Sequence, residues 1–456
     1  MGTGRNSSLE PAAQREFAIQ LVRRLTEAGY QAVLAGGCVR DQLLGRRPDD
    51  YDVATSATPE QVRQVFGHRR TLAIGAAFGV IAVLGPKSAG NVEVATFRRD
   101  ETYSDGRHPD AVQFSSAAED AQRRDFTING LFYDPLQNQV LDYVGGLDDL
   151  QRQVVRAIGQ PAARFQEDHL RMLRAIRFSV RLGFQLDPDT LHAIQQLAPR
   201  IVDVSAERVA QELRLLWSHP HSAQALEMLQ VSGLLPHLWP ELGVAARLAN
   251  TNSTPGTPPG PHPPAPTELP WIVAQRVLAR LQDPQLPLVV ALLAHHALRV
   301  SADQAESVAS QLAGRWRLPR DESDRIRWYL AHHDLLIDAL EHPWPQVQRA
   351  LIDPRAPELL HWCQAELETF GRPLHPVQFC RERLQWPQER LNPPPLVTGQ
   401  DLLDRQIPRG PWYKQILDQI RDEQLIGELS DPPAAIERID QLWQQTLALR
   451  GTPEPN

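Results

Sequence analysis

The first third of the chain alternates between helical patterns and short apolar runs. Phe17, Leu21 and Leu25 recur at the spacing of one helical face, which predicts a helix that ends before Gly29. The apolar run 32–35 follows directly and is typical of a short buried strand. Helix and strand therefore alternate from the first regular elements onward.

The same alternation continues to about residue 150. A second helix is predicted over residues 39–44 and ends at Gly45, because glycine commonly follows a helix. Alternating or continuous apolar residues then predict four strands, at residues 50–53, 79–84, 91–97 and 111–114. This part of the chain is therefore predicted to form an α+β domain.

The pattern changes at residue 151, beyond which amphipathic helices dominate. They are clearest at residues 166–182, 207–217 and 223–231. Residues 250–270 contain Pro-Gly and Pro-Pro steps that a helix or a sheet interior does not tolerate, and they predict an exposed linker or a disordered insert. The predicted fold class is an α+β head followed by an all-helical remainder.

Composition limits the class of protein. A chain of 456 residues is long enough for two to four domains. Its apolar runs are too short to span a bilayer and it begins without a secretion signal pattern, so a cytoplasmic protein without a membrane partner is expected. A net charge of −8 means that contact with a nucleic acid must come from local basic patches. Cys38, Cys363 and Cys380 have no pairing pattern and are expected to be reduced.

Asp50 and Asp52 are the first candidate catalytic residues. Side chains two apart on a strand share a face, so both carboxylates can reach one site. Mg²⁺ prefers carboxylate and phosphate oxygens, and paired ions can activate a hydroxyl while stabilising a leaving pyrophosphate. Glu93 lies between two valines on another predicted strand and is the third candidate, with a solvent-facing glutamate as the alternative.

A glycine turn precedes this acidic pair. Gly36 and Gly37 join a predicted strand to the helix that contains Arg40. Glycine lets the backbone approach a phosphate closely, and a helix N-terminus adds unpaired N–H groups. The turn therefore predicts a triphosphate site, whereas an isolated Gly-Gly turn would indicate only a tight connection.

A second basic segment follows the strands. Arg123, Arg124 and Asp125 are expected to open a helix on which Asn129 shares a face with Asp125. Adjacent arginines suit phosphate groups, and the alternative is an ordinary charged helix start.

The helix predicted over residues 166–182 has an apolar face and an arginine face. Arg171, Arg174 and Arg181 lie on the arginine face, and Asp168 is expected beside Arg171 because it lies three residues earlier. A carboxylate acceptor beside guanidinium donors matches the exocyclic amine and ring nitrogen of cytosine or adenine, and mismatches uracil and guanine. The alternative is a merely solvated face.

Six segments with these residues follow one another between residues 34 and 184. They are LAGGCVRDQLLG (34–45), DDYDVAT (49–55), VEVATFR (92–98), RRDFTINGLFYDP (123–135), DYVGG (142–146) and EDHLRMLRAIRF (167–178). In this order they closely resemble the class II tRNA nucleotidyltransferase and poly(A) polymerase family.

The resemblance implies a domain organisation and an activity. The domains would be a polymerase-β-like nucleotidyltransferase head (residues 1–150), a helical neck that selects the nucleotide (151–220), a helical body with the insert (221–345) and a helical tail that binds tRNA (346–456). The implied reaction transfers CMP and AMP from CTP and ATP to the 3′ end of tRNA, with Mg²⁺ as cofactor and pyrophosphate as product. No DNA partner is implied.

The resemblance also implies roles for individual residues. Asp50 and Asp52 would bind the metal, with Glu93 as the third catalytic carboxylate. The EDxxR element would serve as a protein template for the incoming base. The full set of implied nucleotide-binding residues is Gly36, Gly37, Arg40, Arg123, Arg124, Asp125, Asn129, Glu167, Asp168, Arg171 and Arg174.

Two alternatives share this chemistry, namely an enzyme that adds only the terminal A and a poly(A) polymerase. Residues 100–109 match the family's flexible loop at full length, and this loop is usually shortened in members that add only CC. The loop therefore favours complete CCA addition, although His108 stands where many relatives have Arg. A non-catalytic RNA-binding scaffold is a third alternative, against which the intact acidic pair argues.

Some relatives also carry a metal-dependent phosphohydrolase region with a His-Asp pair. The corresponding stretch here has His295-His296 instead, and His333-Asp334 lacks matching partners in the sequence. We predict no phosphohydrolase site and expect these histidines to be ordinary helix residues.

Overall fold

The computed structural model describes residues 11–75, 78–100, 112–219, 221–251 and 270–450. The chain divides into two compact units between Val244 and Ala245. The flexible-loop residues 101–109, Ala111 and the centre of the predicted insert, residues 252–269, lie outside the described residues. Predictions on those segments are not addressed by the structure.

The first unit begins with helices and strands in alternation, as predicted. The elements up to residue 96 are α1 (Pro11–Glu27), β1 (Ala32–Ala35), α2 (Gly37–Leu43), β2 (Asp52–Thr55), α3 (Pro59–Phe66), β3 (Thr71–Gly75), β4 (Val80–Leu84) and β5 (Asn91–Thr96). The elements that follow as far as residue 155 are β6 (Arg98–Asp100), β7 (Val112–Phe114), α4 (Ala117–Gln122), β8 (Leu131–Asp134), β9 (Gln139–Asp142), α5 (Gly146–Arg152) and β10 (Val154–Val155).

Seven of the described strands form one mixed sheet in the order β3-β4-β5-β2-β1-β8-β9. β2 pairs antiparallel with β1 and parallel with β5, so the centre of the sheet contains a crossover. Phe97 and Phe132 pack edge to face at 5.9 Å between ring centroids and fill the core against one side of the sheet. This packing fixes β2 and β5 at the centre of the head.

Helices follow the sheet within the first unit. They are α6 (Pro161–Glu167), α7 (Leu170–Leu182), α8 (Pro188–Leu197), α9 (Ala206–Trp217), α10 (Ser222–Val231) and α11 (Leu235–Leu238), with a short strand β11 (Gln185–Leu186) that pairs with β10. The next helix, α12 (Pro240–Thr251), contains the boundary between the two units. On α7, Leu173, Ile176 and Val180 are fully buried, as the predicted apolar face requires.

The described part of the second unit contains helices and no strand. They are α13 (Pro270–Leu278), α14 (Leu286–Leu298), α15 (Ala305–Trp316), α16 (Arg320–Ile337), α17 (Trp344–Ile352), α18 (Ala356–Thr369), α19 (His375–Leu384), α20 (Gln388–Leu391), α21 (Gly399–Asp404), α22 (Trp412–Leu425) and α23 (Pro432–Arg450). The predicted fold class is therefore confirmed. No described helix is both long and apolar enough to cross a membrane.

Four predicted element boundaries are wrong, each for a local reason. Arg123–Asp125 do not open a helix, since Phe126 is fully buried and bridges to Ala157, which draws the chain out of α4. The predicted helix over residues 166–182 is broken at Asp168, whose backbone is extended and whose carboxylate accepts the Leu170 N–H at 3.1 Å. The strand predicted over residues 50–53 begins at Asp52. The predicted insert is shorter than residues 250–270, because α12 reaches Thr251 and α13 begins at Pro270.

Candidate active site

Three predicted carboxylates meet at the start of β2. Asp52 lies opposite Glu93 in the parallel pair of β2 and β5, so the two side chains point to the same face of the sheet. Burial raises the pKa of Asp52 to about 7, with further contributions from the charges of Asp50 and Glu93 and an opposing effect of Arg124. The strand pairing places Asp52 beside Glu93, and the effect of the Asp50 and Glu93 charges on Asp52 indicates that all three carboxylates lie close together.

The donor set fits a hard divalent cation. Within the described part of the chain, the carboxylates of Asp50, Asp52 and Glu93 form no hydrogen bond and no ion pair. Asp50 and Glu93 are exposed. Carboxylate oxygens are the ligands that Mg²⁺ prefers, and a cation relieves the like-charge repulsion that helps raise the pKa of Asp52. Asp50 and Asp52 are therefore the residues that would hold a metal ion, with Glu93 beside them.

The glycine turn brings the backbone against an arginine side chain. Gly36 follows β1 with φ at +74°, and a Cβ added to it would lie 2.9 Å from Nη1 of Arg124. Only glycine adopts this backbone conformation at little cost and also leaves room for the guanidinium. Gly37 begins α2 directly after this turn. Two of the residues predicted to bind the triphosphate, Gly36 and Arg124, therefore lie next to each other.

Both adjacent arginines are anchored by a carboxylate that sequence reasoning missed. Asp120 is 1 % exposed and binds Arg123 at 2.7 Å and Arg124 at 3.0 Å. Burial disfavours the charged form of Asp120, but the two guanidinium groups outweigh it and lower its pKa. The available signal was its spacing, since Asp120 lies three and four residues before the arginines on α4.

A chain of hydrogen bonds connects α2 to α7. Arg40 is buried and its Nη1 donates to Oδ1 of Asn129 at 2.6 Å, while Nδ2 of Asn129 donates to Asp125 at 3.0 Å. The other oxygen of Asp125 accepts from Nε and Nη2 of Arg174, at 3.0 and 2.6 Å. Burial opposes ionisation of Asp125, but Arg174 and Asn129 hold its pKa well below the usual range. The predicted contact of Asp125 with Asn129 forms, although not on a helix.

This network continues to a buried acid in the helical part of the first unit. Glu212 on α9 accepts from Nε of Arg177 at 2.6 Å and lies 3.6 Å from Nη1 of Arg174. The side chains of Arg177 and Glu212 are each only 7 % exposed. Sequence reasoning missed this pair because its members are 35 residues apart.

The candidate base-reading residues are each held by a different partner. The carboxylate of Asp168 accepts hydrogen bonds from Nη1 and Nη2 of Arg208, at 3.2 and 2.7 Å. Arg171 instead forms an ion pair with Glu167. Glu167 also binds Arg164 at 2.9 Å. Asp168 and Arg171 are joined through the backbone, where the Arg171 N–H donates to the Asp168 carbonyl at 3.1 Å. The two side chains are therefore neighbours without binding each other.

Comparison with known proteins connects this geometry to a family. Residues 32–156 match the poly(A) polymerase head domain, and residues 183–245 match a region described as the probable RNA- and SrmB-binding site of polymerase A. The head of this chain is thus similar to the poly(A) polymerase head domain. The resemblance to CCA-adding enzymes and poly(A) polymerases is thereby confirmed.

Relatives of both kinds align with about half of the chain. The CCA-adding enzyme of Geobacillus stearothermophilus is 41% identical over 222 residues, which are 48% of this chain and 54% of that protein. Poly(A) polymerase I of Salmonella typhi is 40% identical over 239 residues, which are 50% of each chain. The chain thus spans about half the length of the curated relatives that it matches. A crystal structure of the Bacillus stearothermophilus CCA-adding enzyme in complex with CTP is 29% identical, with a TM-score of 0.71 over 96% of this chain and 98% of that one.

The close approach of Gly36 to Arg124 predicts that a methyl group added at residue 36 disturbs nucleotide binding. Gly36→Ala should weaken CTP and ATP binding about 10- to 100-fold, because the new Cβ displaces the guanidinium and a charge-assisted hydrogen bond contributes about 1.5–3 kcal/mol. The measurement is a nucleotide titration of the purified variant.

Gly45→Ala is the matched control for backbone strain. Gly45 also has a positive φ, at +67°, but its added Cβ would meet no atom within 4 Å. Both variants should lose stability, whereas only Gly36→Ala should lose nucleotide affinity. Equal affinities for the two variants would remove Arg124 from the nucleotide site.

Proposed function

We propose that this protein transfers CMP and AMP from CTP and ATP to the 3′ end of tRNA and releases pyrophosphate. The observation that supports this most directly is the register of β2 and β5, which places Asp52 and Glu93 side by side at the glycine turn of the head. The proposed location is the cytoplasm, and neither DNA nor a membrane is a proposed partner.

The reaction replaces a phosphoanhydride bond of the nucleotide by a phosphodiester bond, and the 3′ hydroxyl of the RNA loses its proton to solvent. The 3′ oxygen of the RNA bonds to the α-phosphorus of the nucleotide, the bond from that phosphorus to the bridging oxygen breaks, and pyrophosphate leaves with the electron pair. Mg²⁺ bound at Asp50 and Asp52 would supply activation of the hydroxyl and neutralisation of the leaving group. The proposed role of Arg124 is to donate hydrogen bonds to the triphosphate beside Gly36, while Asp120 holds its guanidinium in place.

Base selection is proposed to depend on Asp168 and Arg171. A carboxylate has about four lone-pair directions, and Arg208 and the Leu170 N–H use three of them at Asp168, which leaves one to accept from a base amine. Arg171 likewise keeps donors available while Glu167 holds it. Cytosine and adenine both place an amine beside a ring nitrogen acceptor, which complements this pair, whereas uracil and guanine present the reverse order. Arg208 is a positioning residue that sequence reasoning did not find.

Complete CCA addition is proposed ahead of A-only or poly(A) addition. The CTP complex of a relative that aligns along nearly the whole chain supports use of CTP. Residues 100–109 have the full length typical of members that add A after CC. The similar identity to poly(A) polymerase I keeps that activity as the second candidate.

The metal assignment predicts the behaviour of Asp52→Ala. Transfer should fall by roughly 10²–10³-fold or more, because a group that stabilises the transition state is lost. Affinity for tRNA and the melting temperature should change little, since the carboxylate of Asp52 makes no hydrogen bond within the described chain. Asp49→Ala is the control, because Asp49 is exposed and pairs only with exposed Arg181. Near-normal transfer by Asp52→Ala in Mg²⁺ would refute the assignment.

The base-reading role predicts a change in selectivity for Arg171→Ala. Incorporation of UTP and GTP should rise relative to CTP and ATP, while triphosphate affinity should change less, since Arg124 remains in place. Arg181→Ala is the matched control on the same helix, where the arginine pairs with Asp49 instead. Equal loss for all four nucleotides, with selectivity preserved, would make Arg171 structural.

The choice between the candidate activities is decided by the end of the substrate. The experiment supplies one tRNA that ends at the base before CCA and another that ends in CC, each with CTP, ATP or both. Complete CCA synthesis predicts C addition to the first and a single A on the second. Addition of A to the second without C addition to the first would establish the A-only activity. A long run of A on either substrate would establish poly(A) polymerase.

A further inference from the structure

Three helices of the second unit bring histidines together around one carboxylate. His295 and His296 come from α14, His333 from α16 and Glu366 from α18. The ring centroid of His295 lies 4.8 Å from that of His296 and 4.3 Å from that of His333. The side chains of His296, His333 and Glu366 are 7 %, 2 % and 11 % exposed. The sequence spacing of these residues did not predict that they would meet, since they come from three separate helices.

Glu366 is held in a fixed position by His333. Nε2 of His333 lies 2.8 Å from Oε2 of Glu366, and Nδ1 of His333 lies 3.0 Å from Oδ1 of Asp334. Both ring nitrogens of His333 are therefore used by carboxylates. The ring of Trp362 also packs against that of His333, at 4.2 Å between centroids. Since both of its nitrogens are used, His333 orients the carboxylate rather than offering a lone pair of its own.

His296 has contacts that no single tautomer satisfies. Its Nε2 lies 3.3 Å from the Trp362 N–H and 3.0 Å from Oε2 of Glu366. If Nε2 carries a proton, that N–H faces the indole N–H of Trp362, so two donors point at each other. If Nε2 carries a lone pair, that lone pair faces the carboxylate oxygen. A cation near Nε2 and Oε2 would remove the second conflict, because it accepts electron density from both atoms.

His295 supplies a third donor beside this pair. It forms ring contacts but no hydrogen bond with another described residue, so a ring nitrogen is available. One ligand atom each from His295, His296 and Glu366 lies within 4.8 Å of the others. Ligands of a tetrahedral zinc ion at about 2.1 Å are about 3.4 Å apart, so a small inward movement would complete the geometry.

We propose that His295, His296 and Glu366 bind a transition-metal ion, with Zn²⁺ as the best match, while His333 orients Glu366. Imidazole nitrogens suit Zn²⁺ and are poor ligands for Mg²⁺, in contrast to the oxygen-only carboxylates of the head. The alternative set of His295, His333 and Asp334 is less suitable, because it takes His333 from its two carboxylates and includes an exposed aspartate. This site is independent of the proposed transfer reaction.

The test measures Zn²⁺ bound by the chelator-stripped full chain at equilibrium dialysis in excess Mg²⁺, which occupies carboxylate sites. The wild type should bind one Zn²⁺ tightly and melt at a higher temperature with Zn²⁺ than without it. His295→Gln and Glu366→Gln should bind at least about tenfold more weakly, since even loss of a partner that orients a ligand costs about 10- to 100-fold.

His361→Gln is the matched control, because His361 is exposed on the same helix as Glu366 and lies outside the cluster. It should bind Zn²⁺ as the wild type does. If Glu366→Gln does not fold, His295→Gln still decides, since its ring forms no hydrogen bond with the described chain. Wild-type affinity in His295→Gln, or no tight Zn²⁺ in the wild type, would overturn the proposal and leave a buried ion-pair network.

Discussion

The carboxylate of Asp125 is the anionic centre that connects the head to the helices after it. It accepts from Arg174 on α7 with one oxygen and from Asn129 with the other, and Asn129 in turn accepts from Arg40 on α2. The helix that follows the glycine turn and the helix that contains Arg171 are thus held by one charge. Removing one member of such a buried set leaves an unpaired charge, which typically costs about 3–5 kcal/mol.

Side chains proposed to contact the nucleotide are likewise held by ion pairs with neighbouring residues. Asp120 holds Arg124 and Arg208 holds Asp168, so the groups proposed to contact the nucleotide are fixed before it binds. Groups that are already oriented need little reorganisation when charge develops in a transition state. The carboxylates of Asp50, Asp52 and Glu93 differ, because no described partner holds them and their mutual repulsion favours a cation. The head therefore combines fixed donors with an acidic group whose mutual repulsion a bound cation would relieve.

The sequence was most informative where spacing alone fixes geometry. The alternation of Asp50 and Asp52 predicted two carboxylates at one site, although only Asp52 lies within the strand, and the positive-φ turn at Gly36 was predictable from the glycine pair. The partners Asp120, Arg208 and Glu212 were not predicted, and the last two are brought to their ions by tertiary packing over 35 to 40 residues. Helix boundaries at Arg123 and Asp168 failed because a buried aromatic residue and a side-chain cap outweighed helical periodicity.

The parallel pairing of β2 with β5 also determines which changes in chain length the acidic site tolerates. The two strands are connected through α3, β3 and β4, so extra residues in those connecting turns leave the opposition of Asp52 and Glu93 unchanged. Deletion of one residue inside β5 before Glu93 would instead turn that carboxylate to the opposite face of the sheet and bring a valine into its place. Insertions and deletions accumulated during evolution should therefore be common in the turns and excluded from these two strands.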